Sequence, residues 1–352
     1  MVSDKYIGQI RELESVIGKH GAYVIMTHAK PDGDAMGSAL GLSRFLASLH
    51  KTSRIVIPDR YPDSIAFMVR EQEKNLIVTE KESPEEARET VMSAETVFCL
   101  DFNSFDRTEN LAPALKETKA DKILIDHHLH PDRDSFSLVF SETEISSTSE
   151  LLYYILMGTS TVGGDAGRLP SGVGEALMTG MTTDTNNFAN SVYPSTFAMA
   201  SSLLAAGVDR NRIISELYNN YRENRLRLEG LLLDRKLTIT EDGVAYMIID
   251  KALSDKFGIM EGETEGFVNI PLGIRKVKMS ILVKEDEDRY RISIRSKAGV
   301  SANRFAASYF NGGGHECASG GKLLFGKDIE HSTVAMEKYL ESSAKAFMTT
   351  DK

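Results

Sequence analysis

The chain has 352 residues, more than one hydrophobic core usually holds, which points to two domains. Hydrophobic residues make up 41% and charged residues 26%, a globular balance that excludes a disordered chain; no apolar run approaches the roughly 18 residues of a membrane span. The formal net charge of −10 weighs against a grip on long duplex DNA, which calls for a basic footprint, and leaves small phosphorylated substrates open because local charge governs a cleft.

Lys5, Arg11, Glu12 and Glu14 interrupt the apolar residues near the N-terminus, so no signal-peptide core is expected there. Only Cys99 and Cys317 are present. So distant a pair is no disulfide framework, and a reducing cytoplasm is the expected location.

In chain order, the first half alternates strand-like and helix-like segments, the pattern of an α/β domain with a mostly parallel sheet. Ala22 to Thr27 reads as a buried strand, followed by a Gly/Asp loop and a helix with Leu42, Phe45, Leu46 and Leu49 at helical spacing. Further strands are predicted at Ser53–Ile57, Leu76–Thr79, Thr96–Leu100 and Lys122–Ile125, with a helix starting at Ser83-Pro84. From Ser146 to about Arg235 the reading is helical, its last part, 209–235, one long charged helix linking a domain over 1–208 to a smaller α+β domain over 236–352. That second domain has predicted strands at Leu237–Thr240, Val244–Ile249, Val277–Lys284 and Tyr290–Arg295, the last two forming a hairpin. A helix from Ser301, a glycine-rich loop at Asn311–His315 and a final helix over Ile329–Phe347 follow.

Chemistry concentrates where strand patterns end: His28, Asp32 and Asp34 after the first, Asp101 after Leu100, and Asp126-His127-His128 after Ile125. Ligands of open parallel sheets bind beyond the carboxyl ends of the strands, so these clusters are expected to converge. Asp184 ends a helical pattern and is a fourth candidate. Each has an ordinary reading alone: a helix cap for Asp34, a turn for Asp101, surface positions for the paired histidines. Together, carboxylates and imidazoles held this close would repel or shift their pKa values without cations, and mixed Asp/His ligation suits Mn²⁺. Four carboxylates, Asp32, Asp34, Asp101 and Asp184, balance two divalent ions, whose bridging hydroxide would attack phosphorus.

In this order the segments His28-Ala-Lys-Pro-Asp32-Gly-Asp34, Asp101, Asp126-His127-His128 and Asp184 resemble the four motifs of the DHH phosphoesterase superfamily. Arg295-Ser296 and Gly312-Gly313-Gly314-His315 resemble the substrate-binding motif of the DHH-associated domain. The resemblance implies a cleft between the two domains and two divalent metals, Mn²⁺ or else Mg²⁺ or Co²⁺. His28 and Asp32 would hold one and Asp34, His127 and Asp184 the other, with Asp101 bridging. Asp126 would orient an imidazole and His128 would face the scissile phosphate as a catalytic group. Arg295, Ser296, the three glycines and His315 would bind substrate, with Arg107 a further phosphate contact. Tyr309 and Phe310 are open to base stacking, though core packing is the expected role.

The activity implied is that of the nanoRNase type, RecJ-like in its catalytic domain: exonucleolytic removal of nucleotides from very short RNAs, and dephosphorylation of 3′-phosphoadenosine 5′-phosphate (pAp phosphatase). Alternatives are a cyclic- or linear-dinucleotide phosphodiesterase, an exopolyphosphatase, a RecJ-like exonuclease on longer strands and, from another class, a non-catalytic nucleotide-binding protein. No long duplex DNA and no membrane is expected as a partner; a homodimer is open.

Overall fold

In the computed structural model, which describes residues 5–260 and 262–350, the chain forms two units, Met1–Asn220 and Tyr221–Lys352. The first contains strands β1 (Ala22–Met26), β2 (Thr52–Ile57), β3 (Ile77–Thr79), β4 (Thr96–Leu100), β5 (Asp121–Asp126) and β6 (Leu138–Ser141). Its helices are α1 (Ile7–Lys19), α2 (Gly33–Ser48), α3 (Pro84–Met92), α4 (Ala112–Glu117), α5 (Thr148–Met157), α6 (Val173–Asp184), α7 (Pro194–Ala205) and α8 (Arg210–Tyr218). The strands make one sheet in the order β3-β2-β1-β4-β5-β6, parallel at every pairing. Successive side chains feed opposite faces: Val24, Met26, Val97, Cys99 and Leu124 enter one core, and Tyr23, Ile25, Phe98, Leu100 and Ile123 the other. Burial on both faces is why these strands read as unbroken apolar runs in the sequence.

β1 lies between β2 and β4, so the winding reverses there and opens a crevice at the carboxyl ends of β1 and β4. Helix α2, which leaves that crevice, is buried along most of its length, Leu42, Phe45 and Leu46 included. It packs on α6 through glycines: a Cβ at Gly33 would collide with the Thr183 side chain, and one at Gly37 would meet the Ala176 carbonyl oxygen at 2.7 Å. This close approach brings the start of α2, with Asp34, beside the end of α6, with Asp184.

The predicted single helix over 209–235 is two helices, α8 and α9 (Glu223–Leu231), interrupted at Asn219–Arg222. Asn219 caps α8 and Arg222 is extended at φ −65°, ψ 145°. Asparagine favours such ends over helix interiors, and each helix buries one leucine in a different core, Leu217 in the first unit and Leu228 in the second.

The second unit adds β7 (Thr238–Ile239), β8 (Val244–Ile249), α10 (Lys251–Phe257), β9 (Met279–Glu285), β10 (Arg289–Ser296), α11 (Ala302–Tyr309), β11 (Gly313–His315), β12 (Ala318–Leu324) and α12 (Thr333–Thr350). Its sheet runs β11-β12-β10-β9-β8-β7, with the expected β9–β10 hairpin closed by Tyr290 opposite Glu285. Ser301 caps α11 by accepting the Arg304 amide. The expected glycine-rich loop at Asn311–His315 is instead largely strand, β11 pairing with β12. Glycine there serves close packing, since a Cβ at Gly312 would collide with the Gly320 carbonyl oxygen. Phe310 is fully buried, so its ring offers no open stacking face, and Tyr309 is half-buried against the same core.

Candidate active site

At the end of β1, His28 is buried, and its Nδ1 lies 2.8 Å from the Ala29 carbonyl oxygen. A carbonyl only accepts, so Nδ1 carries the proton, and Nε2 faces Asp101 Oδ2 at 3.4 Å. Asp32, not Asp34, is the cap of α2; its Oδ1 accepts the amides of Asp34 and Ala35 at 2.9 and 3.1 Å. Asp34 is thereby released from the capping role, and it is buried in the first turn of α2.

Asp101 directly follows β4 with φ 65°, a left-handed conformation that is uncommon outside glycine and concentrates at functional sites. Its carboxylate faces three imidazoles: His28, His127 through Nε2 at 3.6 Å, and His128 through Nδ1 at 3.7 Å. His127 Nε2 also lies 3.5 Å from Asp184 Oδ2. Asp126, the last residue of β5 and fully buried, accepts from His128 Nδ1 at 2.7 Å and from the His128 amide at 3.2 Å. The imidazole that Asp126 orients is therefore that of His128. Arg107 is exposed, its carbonyl accepting the Ala29 amide at 2.8 Å, and its positive charge acts on His28.

Potential ligand atoms of His28, Asp32 and Asp101 lie within 4.8 Å of one another, as do those of Asp34, Asp101 and His127. Asp101 belongs to both sets. The Nε2-to-oxygen spacings of 3.4 to 3.6 Å are long for hydrogen bonds. They match the edge between two donors that each sit about 2.0–2.2 Å from a shared cation. A carboxylate and imidazole donor set without thiolate suits hard to borderline divalent ions. The residues fit such a group.

Without a cation the cluster is under electrostatic stress. Burial, then the charge of Asp101, pushes the Asp34 carboxyl up to about 7. Asp184 is raised well above its ordinary value by burial and by Asp34, Asp32 and Asp101. Asp101 goes the other way: burial opposes its charge, but the pairing with His28 and the charge of the three imidazoles outweigh it. His28 rises to about 9: burial opposes its charge, but the pairing with Asp101 and the charge of Asp32 overcome it.

Between the ordinary value of 3.8 and about 7, folded Asp34 holds a proton that the unfolded chain has lost, so stability falls as pH rises. The His28 contribution is complete below 6.5 and is lost as pH rises through about 9. The Asp101 contribution varies only in acid, below 3.8. The melting temperature of the metal-free protein is expected to fall from about pH 5 to about pH 9, and saturating Mn²⁺ is expected to remove most of that slope. Differential scanning calorimetry in EDTA and in Mn²⁺ checks this; a metal-free melting temperature that climbs over the range contradicts the electrostatics above.

The remaining predicted residues belong to the second unit. Arg295 on β10 is opposite Ala318 on β12, which is opposite His315 on β11, so Arg295 and His315 share one face and one row of the sheet. Ser296 points the other way and is buried, its hydroxyl donating to the Val300 carbonyl at 2.6 Å. Gly313 and Gly314 lie in β11, Gly314 at a φ of 144°.

Thr148 and Ser149 have no counterpart among the residues expected from the sequence; their backbone amides donate to Asp34 Oδ2 and Oδ1 at 2.7 and 2.8 Å. Thr148 Oγ1 also donates to Asp101 at 3.0 Å. The signal available was the Ser147-x-x-Glu150 capping pattern ahead of an apolar run, which marks a helix start.

A parallel doubly wound sheet carrying this Asp/His cluster at its carboxyl edge, with a second mixed-sheet domain, defines a phosphoesterase that acts on phosphate ester bonds. The chain belongs to the DHH family: residues 22–181 match the DHH family, N-terminal domain, and residues 241–342 match the DHHA1 domain. It is similar to an exopolyphosphatase-related protein of Bacteroides fragilis, at 34% identity and TM-score 0.88 over 98% of this chain and 97% of that one. It is 27% identical to the bifunctional oligoribonuclease and PAP phosphatase NrnA of Bacillus subtilis (strain 168), over 89% of this chain and 92% of that protein. The fold is shared with RecJ of Thermus thermophilus in complex with Mn²⁺, at 15% identity and TM-score 0.57, covering 96% of this chain and 55% of RecJ.

Proposed function

We propose that this phosphoesterase hydrolyses very short oligoribonucleotides and dephosphorylates 3′-phosphoadenosine 5′-phosphate, using two divalent cations, Mn²⁺ by preference. What carries the reading is the placing of Asp101 in two ligand sets at once, in a chain that aligns with an oligoribonuclease and PAP phosphatase over about nine-tenths of both lengths. His28, Asp32 and Asp101 would hold one cation, and Asp34, His127, Asp184 and Asp101 the other. Bound there, the cations would supply Lewis-acid polarisation of a phosphoryl oxygen and a water acidified to act as nucleophile.

The chain's own groups do the rest. Asp126 holds the His128 ring by accepting from Nδ1 at 2.7 Å, which aligns and supports a protonated imidazole. His128 in that state stabilises charge on the scissile phosphate and delivers a proton to the departing oxygen. Arg107 in the first unit and, separately, Arg295 and His315 in the second are the groups that would bind phosphate oxygens of the substrate, and Ser296 supports the strand that carries Arg295. Among the described residues no helix is long and apolar enough to cross a membrane; a cytoplasmic location is part of the proposal.

A substrate panel with Mn²⁺ tests it: diribonucleotides, longer single strands, 3′-phosphoadenosine 5′-phosphate, cyclic di-AMP, pyrophosphate and polyphosphate. The expected order places diribonucleotides and 3′-phosphoadenosine 5′-phosphate first. Turnover confined to polyphosphate, or to cyclic di-AMP, overturns the substrate assignment.

A further inference from the structure

One helix end engages both oxygens of Asp34 and one of Asp101. The amides of Thr148 and Ser149 hold the two oxygens of Asp34, and the Thr148 hydroxyl donates to Asp101 Oδ1. A carboxylate can only accept, so the direction of that bond is fixed. Thr148 is fully buried, and Asp34 and Asp101 are 1% and 2% exposed, so water does not compete for these lone pairs. The helix end is itself locked: Ser147 Oγ accepts the Glu150 amide at 3.0 Å, and Glu150 Oε2 accepts the Ser146 amide at 3.1 Å and the Thr196 hydroxyl at 2.7 Å.

The three imidazoles around Asp101 leave its orientation poorly determined, because each attracts the carboxylate and none approaches closer than 3.4 Å. A neutral hydroxyl donor at 3.0 Å is different. It occupies one lone pair of Oδ1, leaving Oδ2 on the His28 side and the second lone pair of Oδ1 on the His127 side. The same residue's amide fixes Asp34, so a single rigid residue sets the angle between the two carboxylates.

We propose that Thr148 is a positioning residue of the metal centre, prealigning Asp101 and Asp34 so that cations bind without reorganising them. The inference rests on the metal assignment above and concerns the chain's own hydroxyl. Thr148→Val keeps the branched shape and the backbone amide and removes only the donor; Thr148→Ser keeps the donor. Isothermal titration of Mn²⁺ into the metal-free proteins, without substrate, is the readout. Thr148→Val is expected to weaken Mn²⁺ binding by roughly 10- to 100-fold, the usual cost of losing an outer-shell partner. Thr148→Ser is expected to restore it, with far-UV circular dichroism unchanged in both. Wild-type Mn²⁺ affinity in Thr148→Val overturns the role of Thr148, as does equal weakening by Thr148→Ser. Absence of Mn²⁺ binding by the wild type overturns the metal centre itself, and this role with it.

Discussion

Replacing Asp101 with Ala is expected to lower Mn²⁺-dependent hydrolysis by roughly 10³-fold or more, the equivalent of about 4 kcal/mol of transition-state stabilisation. Asp101 is common to both candidate ligand sets, so its loss would remove a donor from each of the two proposed cations at once. Asp34, His127 or Asp184 would each serve one cation only. The substitution also strips the counter-charge from three imidazoles, since His28, His127 and His128 all face this carboxylate. Asp101→Asn separates these effects from packing, because it keeps the shape and the bond from Thr148 while removing the charge. Both variants are expected to lose bound Mn²⁺ by elemental analysis, and both should stay folded. Wild-type-like turnover by Asp101→Ala would sink the assignment.

The site was legible in the sequence to the extent that strands announce their ends. β1, β4 and β5 carry apolar runs because parallel strands are buried on both faces, so the carboxylates and imidazoles at their carboxyl ends, His28, Asp101 and Asp126-His127-His128, stood out. β11 was not legible: Gly313–His315 has no strand propensity, and it is extended only because β12 pairs with it. β12 itself, Ala-Ser-Gly-Gly-Lys-Leu-Leu, is equally silent. The break between α8 and α9 is a tertiary decision, made by two cores competing for one run of charged and leucine residues. Thr148 was hidden for the same kind of reason. Its partners are Asp101, 47 positions away, and Asp34, 114 positions away, and no local pattern encodes contacts at that range.

The division of labour between the units yields the second large effect, a rise in KM for Arg295→Ala with bound Mn²⁺ unchanged. Arg295 stands on β10 in a face it shares with His315 two strands away. Every carboxylate of the Asp/His cluster belongs to the first unit. Losing a charge-assisted contact to phosphate costs about 1.5–3 kcal/mol, which is roughly 10- to 150-fold in KM if kcat holds. Arg295→Lys is informative because it keeps the charge and loses the planar fork; where the guanidinium binds phosphate through two parallel bonds, lysine recovers only part of the affinity. Steady-state kinetics on a diribonucleotide, paired with Mn²⁺ titration, gives both readings on one sample. A loss of bound metal in Arg295→Ala would mean that the second unit shapes the metal centre as well as the substrate site. An unchanged KM would remove Arg295 from substrate binding altogether.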